Sequence, residues 1–242
     1  MTITFLPQSI DSLWGCVYQE LKYSLGPANV KIGFIEVTNL QNFATQITLL
    51  VLNRSWMTKL NPVASMAYDV TVSQTASKLS GISTSTSASG TLTTAFGELM
   101  VSMGSAYALE KLFTHNRVPL AELWKPQVSQ NEGFDFHTTC PSELINFGEA
   151  KYSSTMSSFK NAITQAERFV DEQKHFRDGI HLMHLVNPSC MKNLENKKFG
   201  IVAAFSMRGK KPDRTFTNAA KRAISLAVKN KVETIYLVGV KK

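Results

Sequence analysis

Leu144-Ile-Asn-Phe-Gly-Glu-Ala-Lys-Tyr152 predicts a central β-strand that is covered on both faces, because both faces of the segment are largely apolar at its start. Residues two apart share a face of a strand but not of a helix, so Glu149 and Lys151 are predicted to point the same way. Another strand is predicted at residues 133–139 and contains Asp135. If the strands pair through a turn near residues 140–143, Asp135 faces Glu149, and charges in such surroundings need a partner or a metal ion.

The pattern of glutamate, any residue and lysine is not specific by itself, because it occurs four times in the chain. The other copies are Glu20/Lys22, Glu172/Lys174 and Glu195/Lys197. The first two lie in segments with helical apolar spacing, which points the two side chains apart. The third lies in a polar segment that is typical of a solvated turn. Only Glu149 and Lys151 are therefore predicted to lie on a strand.

Length and composition are those of a globular protein of one or two domains, with 242 residues, 43% of them hydrophobic and 18% charged. No apolar run approaches eighteen residues, and the first residues do not resemble a secretory signal. Three widely spaced cysteines favour neither a disulfide framework nor a zinc site. A cytoplasmic protein is expected.

Positive charge is concentrated in residues 192–242, where thirteen Lys or Arg against three Asp or Glu give a local net charge of +10. A nucleic-acid backbone is one natural partner for such a surface, and a solvated basic face is the alternative. The candidate nucleic-acid-binding side chains are Arg208, Lys210, Lys211, Arg214, Lys221 and Arg222.

The first 90 residues are predicted to form an α+β region that could dock a partner. Its predicted elements are a helix at residues 9–25 and strands at 30–37 and 45–52. A Ser/Thr-rich segment, residues 73–91, is interpreted as a loop or linker that ends this region, and an ordered irregular loop is the alternative.

Residues 91–242 are predicted to form a second domain with the order helix, three strands, helix, strand, helix, strand. Phe134 and Phe136 are expected on the face of their strand opposite Asp135 and His137. The remaining predicted elements are a helix at residues 93–113, a strand at 119–124, a helix at 155–177, a strand or helical continuation at 180–186, a strand at 199–205, a helix at 215–230 and a strand at 233–240.

This order, together with Asp135 and Glu149-Ala150-Lys151, resembles the PD-(D/E)XK superfamily of restriction-endonuclease-like nucleases over roughly residues 93–242. The sequence departs from the family pattern where Phe134 replaces proline. The resemblance implies a restriction-endonuclease-like α-β-β-β-α-β core. A looser likeness, Gly-Glu-Ala-Lys-Tyr152 before an Ala-rich helix, is to nuclease subunits of bacterial antiphage systems such as Hachiman. It implies a helicase or ATPase partner.

The resemblance implies that Asp135 and Glu149 bind Mg²⁺ or Mn²⁺ with the Ala150 backbone carbonyl. Lys151 would orient the attacking water or neutralise developing charge. A buried ion pair that serves only the sheet is the alternative. Glu98 occupies a position from which related nucleases supply a further metal ligand, although the helix dipole alone could favour a carboxylate there.

Two accessory residues are predicted, and each has an alternative without a functional role. Gln165 resembles a polar helix residue that some superfamily members direct at the site, but a solvated glutamine is the favoured alternative. His137 could contact phosphate, and a core histidine is the alternative.

The functional hypothesis is a metal-dependent DNA endonuclease acting in antiviral defence. The alternative is a non-cutting nucleic-acid-binding or regulatory subunit with a nuclease-like fold.

Overall fold

The computed structural model describes residues 3–24, 29–124, 133–153, 158–208 and 212–242, which form one mixed sheet of eight strands with flanking helices. The predicted α/β class with a mixed central sheet is therefore confirmed. The strands are β1 Ile3–Asp11, β2 Cys16–Tyr23, β3 Val30–Val37, β4 Asn116–Arg117, β5 Phe136–Thr139, β6 Ile145–Lys151, β7 Gly200–Met207 and β8 Thr234–Lys241.

The strands lie in the order β1-β2-β3-β8-β7-β6-β5-β4. The pairs β3/β8, β8/β7 and β7/β6 are parallel, and the outer pairs on both sides are antiparallel. Because β3 pairs with β8 from Val30/Ile235 to Glu36/Lys241, the N-terminal strands continue the same sheet. The sheet therefore has no break at the predicted boundary near residue 90.

Helices cover both faces of the sheet. They are α1 Leu40–Leu52, α2 Pro62–Ser89, α3 Thr94–Phe113, α4 Ala121–Trp124, α5 Ser158–Asp171, α6 Lys174–Leu182, α7 Pro188–Glu195 and α8 Pro212–Asn230, with a 3₁₀ helix at Ser55–Lys59. A Cβ on Gly33 would point at Leu112 of α3, whereas the next residue, Phe34, packs on Phe216 of α8. Since successive strand residues face opposite ways, α3 and α8 cover opposite faces.

The predicted helix at residues 9–25 is wrong, because this segment forms the antiparallel pair β1 and β2. Gly15 makes the turn between them in the left-handed region, with φ of 61°. A Cβ there would lie 2.6 Å from the Asn39 side chain, so glycine meets both the conformational and the steric demand. The chain therefore reverses direction at Gly15, which the helical apolar spacing of the segment does not indicate.

Two other segments, residues 45–52 and 73–91, were predicted wrongly, because their residue types are typical of a strand and of a linker although both segments are largely helical. Residues 45–52 belong to α1 rather than to a strand, and α1 buries Phe43, Ala44, Ile47 and Val51 at helical spacing. The Ser/Thr-rich segment, residues 73–91, lies largely in α2 rather than in a linker. Small polar side chains there pack against α1 and neighbouring helices, and the helix ends at Gly90, which is left-handed.

The predicted elements of the second half are largely confirmed: α3, β5, β6, β7, α8 and β8 match them within a few residues. The predicted strand at residues 119–124 is wrong, since its last four residues form α4 and the edge strand is the shorter β4. The predicted helix at residues 155–177 divides into α5 and α6, and residues 180–182 continue α6. Within the described parts of the chain, no helix is long and apolar enough to cross a membrane.

Candidate active site

The candidate site lies where β5 stops pairing with β6. The antiparallel ladder runs from Thr139/Ile145 to Phe136/Gly148, as the sequence predicts. Beyond it, the Asp135 backbone N–H donates to the Gly148 carbonyl oxygen at 2.8 Å. Asp135 Oδ2 then accepts a hydrogen bond from the Ala150 backbone N–H at 2.7 Å. Asp135 is thus fixed at the edge of β6 that β5 no longer covers.

The chain is irregular at Asp135, which breaks the predicted alternation. Phe134 packs on Phe147 and on Phe169 of α5, with ring centroids 5.3 Å away in each case. Phe136 instead fills the space above Gly148, where an added Cβ would lie 2.5 Å from its ring. The expectation that Phe134 and Phe136 share a face is therefore wrong. The irregularity turns Phe134 onto the α5 side.

Glu149 and Lys151 share a face of β6, as strand phase predicts, and form an ion pair with 2.7 Å between Lys151 Nζ and Glu149 Oε1. Glu149 is fully buried, whereas 30% of the Lys151 side chain is exposed. The ammonium therefore lies between a buried carboxylate and solvent. This places a positive charge at the entrance to the site.

Three carboxylates act on the Lys151 ammonium. Burial by itself lowers the pKa of Lys151, but the ion pair with Glu149 and the charges of Asp135 and Glu98 raise it above its ordinary value of 10.5. Lys151 is therefore charged at neutral pH. The formal charges of these four side chains sum to −2.

Strand placement alone does not distinguish Glu149/Lys151 from one other copy of the pattern, Glu20/Lys22. Glu20 and Lys22 also lie on a strand, β2, which corrects the helical assignment. Lys22 is exposed and Glu20 only partly buried. Lys174 and Glu172 flank the start of α6 and form an ion pair at 3.2 Å rather than pointing apart. Full burial of its glutamate is what sets the β6 copy apart.

The predicted metal ligand Glu98 is exposed on α3, close enough to influence the Lys151 pKa. It stands beyond the first turn, which Thr93 caps by accepting from the Phe96 N–H. The adjacent Gly97 holds α3 against β6, because an added Cβ would lie 2.6 Å from the ring of Tyr152. Close packing at Gly97 therefore brings Glu98 to the end of β6.

The two accessory residues are placed differently. Gln165 is partly buried on α5 and makes no hydrogen bond to any described residue near Glu149. His137 is fully buried, and its Nε2 lies 3.0 Å from Asp178 Oδ2 of α6. Its ring packs on Phe147, so His137 occupies a core position two residues along the chain from Asp135. The structure thus brings together Asp135, Glu149, Lys151 and Glu98, and places His137 in the core.

The candidate nucleic-acid-binding residues lie on two elements. Arg208 follows β7 and donates to the Tyr152 hydroxyl at 3.1 Å. Arg214, Lys221 and Arg222 are exposed on α8. A neighbouring cation, Lys229, instead bonds to Glu167 and Asp171 of α5. Lys210 and Lys211 lie outside the described residues.

Serine contacts that the sequence does not reveal fix the end of β6. Ser206 Oγ accepts from the Ser153 N–H at 2.9 Å and donates to the Ser153 carbonyl at 3.1 Å. Ser158 Oγ donates to the Ser206 carbonyl at 2.7 Å. No spacing or motif predicts these contacts, since serine is common in this chain and the three are brought together by the pairing of β6 with β7 and by the position of α5.

Asp135, Glu149 and the Ala150 carbonyl supply oxygen atoms of the kind that a hard divalent cation binds, and substrate and water would complete its coordination. Among the residues that the structure describes, no group of three or more His, Cys, Asp and Glu side chains is arranged to enclose a metal ion. Mg²⁺ does not require such a cage, because it usually binds through one or two carboxylates and retains waters or phosphate oxygens. The Ala150 N–H points to the edge left open by β5, and the carbonyl of the same extended residue points to that edge too.

Comparison of the chain with protein-family models, with curated proteins and with solved structures found no match. The geometry of the residues is therefore the basis of the functional proposal.

Proposed function

We propose that this protein is a Mg²⁺-dependent nuclease that hydrolyses phosphodiester bonds of DNA. The observation that carries the proposal is the buried Glu149 carboxylate, 2.7 Å from the Lys151 ammonium, beside Asp135, which is fixed by the Ala150 N–H. Such a combination of two carboxylates, a backbone carbonyl and a lysine at an open strand edge suits phosphate chemistry.

The order of elements around the site supports the proposal. From α3 onward the chain passes through β4, α4, β5 and β6, then through α5, α6 and α7, and finally through β7, α8 and β8. The first three strands are antiparallel neighbours, and β7 joins β6 in parallel. Apart from the additional helices α4, α6 and α7, this order agrees with the one that the PD-(D/E)XK resemblance implies, with Asp135 just before β5 and with Glu149 and Lys151 on β6.

Asp135 and Glu149 would hold the metal ion with the Ala150 carbonyl, and Glu98 would approach from α3. When bound, Mg²⁺ supplies Lewis-acid polarisation of a phosphate oxygen and a lowered pKa for a coordinated water. Lys151 remains protonated and presents its charge where negative charge develops on the phosphate oxygens. The buried Glu149 holds that ammonium in place, which limits the reorganisation needed during reaction.

DNA and an antiphage role are the more specific parts of the proposal. The exposed cations of α8 and Arg208 offer a phosphate backbone a positive surface without base recognition. The antiphage role and a helicase or ATPase partner rest on the likeness of Gly148-Glu149-Ala150-Lys151-Tyr152 to nuclease subunits of such systems.

The test incubates the protein with plasmid, linear duplex, single-stranded DNA and RNA, in Mg²⁺, in Mn²⁺ and in EDTA. Glu149→Gln and Lys151→Met keep side-chain size while removing the charge, and each should lower the metal-dependent rate by at least about a hundredfold. Glu20→Gln and Lys22→Met are matched controls, since they alter the same pattern on a less buried strand. They should retain full activity.

Cleavage that survives in Glu149→Gln would show that this residue is not part of the site. Wild-type protein that binds DNA but cuts nothing, with or without metal, would support the non-cutting subunit instead. Circular dichroism of each variant separates loss of chemistry from loss of fold.

A further inference from the structure

A pocket of about 290 Å³ lies at the carboxyl ends of β6, β7 and β8, on the α3 side of the sheet. Its apolar lining includes Leu92, Met100 and Val240, and the ring of Tyr152 lines it as well. Arg208, Lys241 and Lys242 supply the cations. Among the described residues, no Asp or Glu side chain lines this pocket, so it is electropositive.

Two of these cations are available to an anion. Lys241 is engaged by Glu36, with 2.7 Å between Nζ and Oε1. Arg208 donates to the Tyr152 hydroxyl, with its guanidinium carbon 6.0 Å from the centroid of that ring, and Lys242 is exposed. No ion pair joins either Arg208 or Lys242 to a described carboxylate. An incoming phosphate therefore displaces no existing salt bridge at these two positions.

The chemistry of the lining matches one nucleotide. An aromatic ring beside apolar side chains accepts the face of a base, and guanidinium and ammonium groups accept its phosphate. Tyr152 directly follows Lys151, so the pocket wall and the candidate active site are joined by one peptide bond. Tyr152 packs against α3, however, whereas Lys151 shares the α5 side of the sheet with Glu149.

We propose that this pocket binds one nucleotide of a single-stranded nucleic acid, with its base on Tyr152 and its phosphate at Arg208 and Lys242. A strand held there has to bend around the end of β6 to present its next phosphates to Lys151. A flexible single strand bends in this way readily, but a stiff duplex does so only at a considerable cost. The path of the nucleic-acid strand towards Lys151 rests on the proposed nuclease function. The proposal adds that the substrate is single-stranded.

The test measures binding separately from cleavage. Fluorescence anisotropy of labelled oligo(dT), oligo(rU) and a duplex of equal length is recorded with the Glu149→Gln protein in EDTA, which removes the metal ion that the proposed cleavage needs. Oligo(dT) or oligo(rU) should bind more tightly than the duplex. Arg208→Ala and Tyr152→Leu should each weaken single-strand binding between about fivefold and a hundredfold, as expected for loss of one charged or stacking contact.

Two controls separate the pocket from general charge and from folding. Lys78→Ala removes the same charge from an exposed site on α2, and should change single-strand affinity by less than twofold. Tyr152→Phe keeps the ring and loses only the hydroxyl that accepts from Arg208, so most of the affinity should remain.

The outcomes distinguish this proposal from the nuclease assignment. Arg208-dependent binding of single strands by a protein that never cuts would support the pocket and refute the nuclease. Equal affinity for duplex and single strand, or an effect of Arg208→Ala no larger than that of Lys78→Ala, would overturn the pocket even if cleavage is observed.

Discussion

Replacing Gly97 with alanine places a methyl group inside the packing radius of Tyr152. The new Cβ would lie 2.6 Å from two ring atoms and 2.7 Å from a third, one of them the Cγ next to the backbone. Ordinary contact begins near 3.4 Å, so α3 and the end of β6 must separate by about 1 Å. Overpacking of this size costs about 1–3 kcal/mol, and it displaces the residue that follows Lys151.

Gly81→Ala is the matched control, because Gly81 is an exposed helical residue with nothing within 4 Å of an added Cβ. Both substitutions gain the same helix propensity, about 0.5–1 kcal/mol. The difference between their free energies of unfolding in urea therefore isolates the overpacking cost at Gly97. Gly81→Ala should be more stable than wild type, and Gly97→Ala less stable than Gly81→Ala by about 1–3 kcal/mol.

Cleavage assays extend the same comparison to the site. A displacement of about 1 Å at a positioned catalytic group costs about a hundredfold in rate, so Gly97→Ala should lose about that much and Gly81→Ala should lose nothing. Equal unfolding free energies for the two variants would contradict close packing of Tyr152 on α3. A destabilised Gly97→Ala that cuts at the wild-type rate would show that this packing does not position Lys151.

Three further predictions follow from single contacts. Gly148→Ala should destabilise the protein by about 1–3 kcal/mol in urea unfolding, because the new Cβ lies 2.5 Å from the Phe136 ring; no loss would refute that packing. Burial lowers the pKa of His175 to about 4, so the stability that the neutral imidazole contributes is present above pH 6.5 and is lost as the pH falls towards 4, by about 3 kcal/mol at most. The free energy of unfolding of His175→Phe should therefore depend less on pH in this range than that of the wild type. The same pH dependence in both proteins would refute the lowered pKa of His175. Because the pKa of Lys151 is raised in the folded protein, its contribution to stability is complete below pH 10.5 and is lost as the pH rises through the folded-state pKa. Lys151→Met should therefore lose less stability above pH 10.5 than the wild type does. Free energies of unfolding that fall equally with alkaline pH in both proteins would contradict a stabilising pair with Glu149.

The sequence predicted the centre of the sheet better than its edge. β6, β7 and β8 are apolar strands whose residue types and length leave little alternative, and α3 is apolar on most sides. The failures lie where local spacing and tertiary contacts disagree. Helical spacing in residues 9–25 could not show that Gly15 reverses the chain. Serine and threonine in α2 pack as small residues against neighbouring helices, although their composition is typical of a linker.

The candidate site was predicted from strand phase, and the phase was right for Glu149 and Lys151. The same criterion failed to exclude Glu20 and Lys22, because their segment was assigned to a helix. Burial of the glutamate distinguishes the two copies, and this burial depends on which strands and helices lie next to the strand that carries it. β6 is covered by α3 and α5 and is flanked by β5 and β7, information that no local pattern contains.

Burial of Glu149 is also the strongest physical reason to interpret this site as functional. Taking a carboxylate fully out of water costs several kcal/mol, and a paired ammonium that is itself partly exposed offsets only part of this cost. Apolar residues of similar size at the two positions would serve the sheet at least as well. Asp135 and Glu98 also act on the same ammonium and favour its charged form, so three carboxylates share one lysine in this cluster. The proposed divalent cation and phosphate group would account for an arrangement that the fold itself does not need.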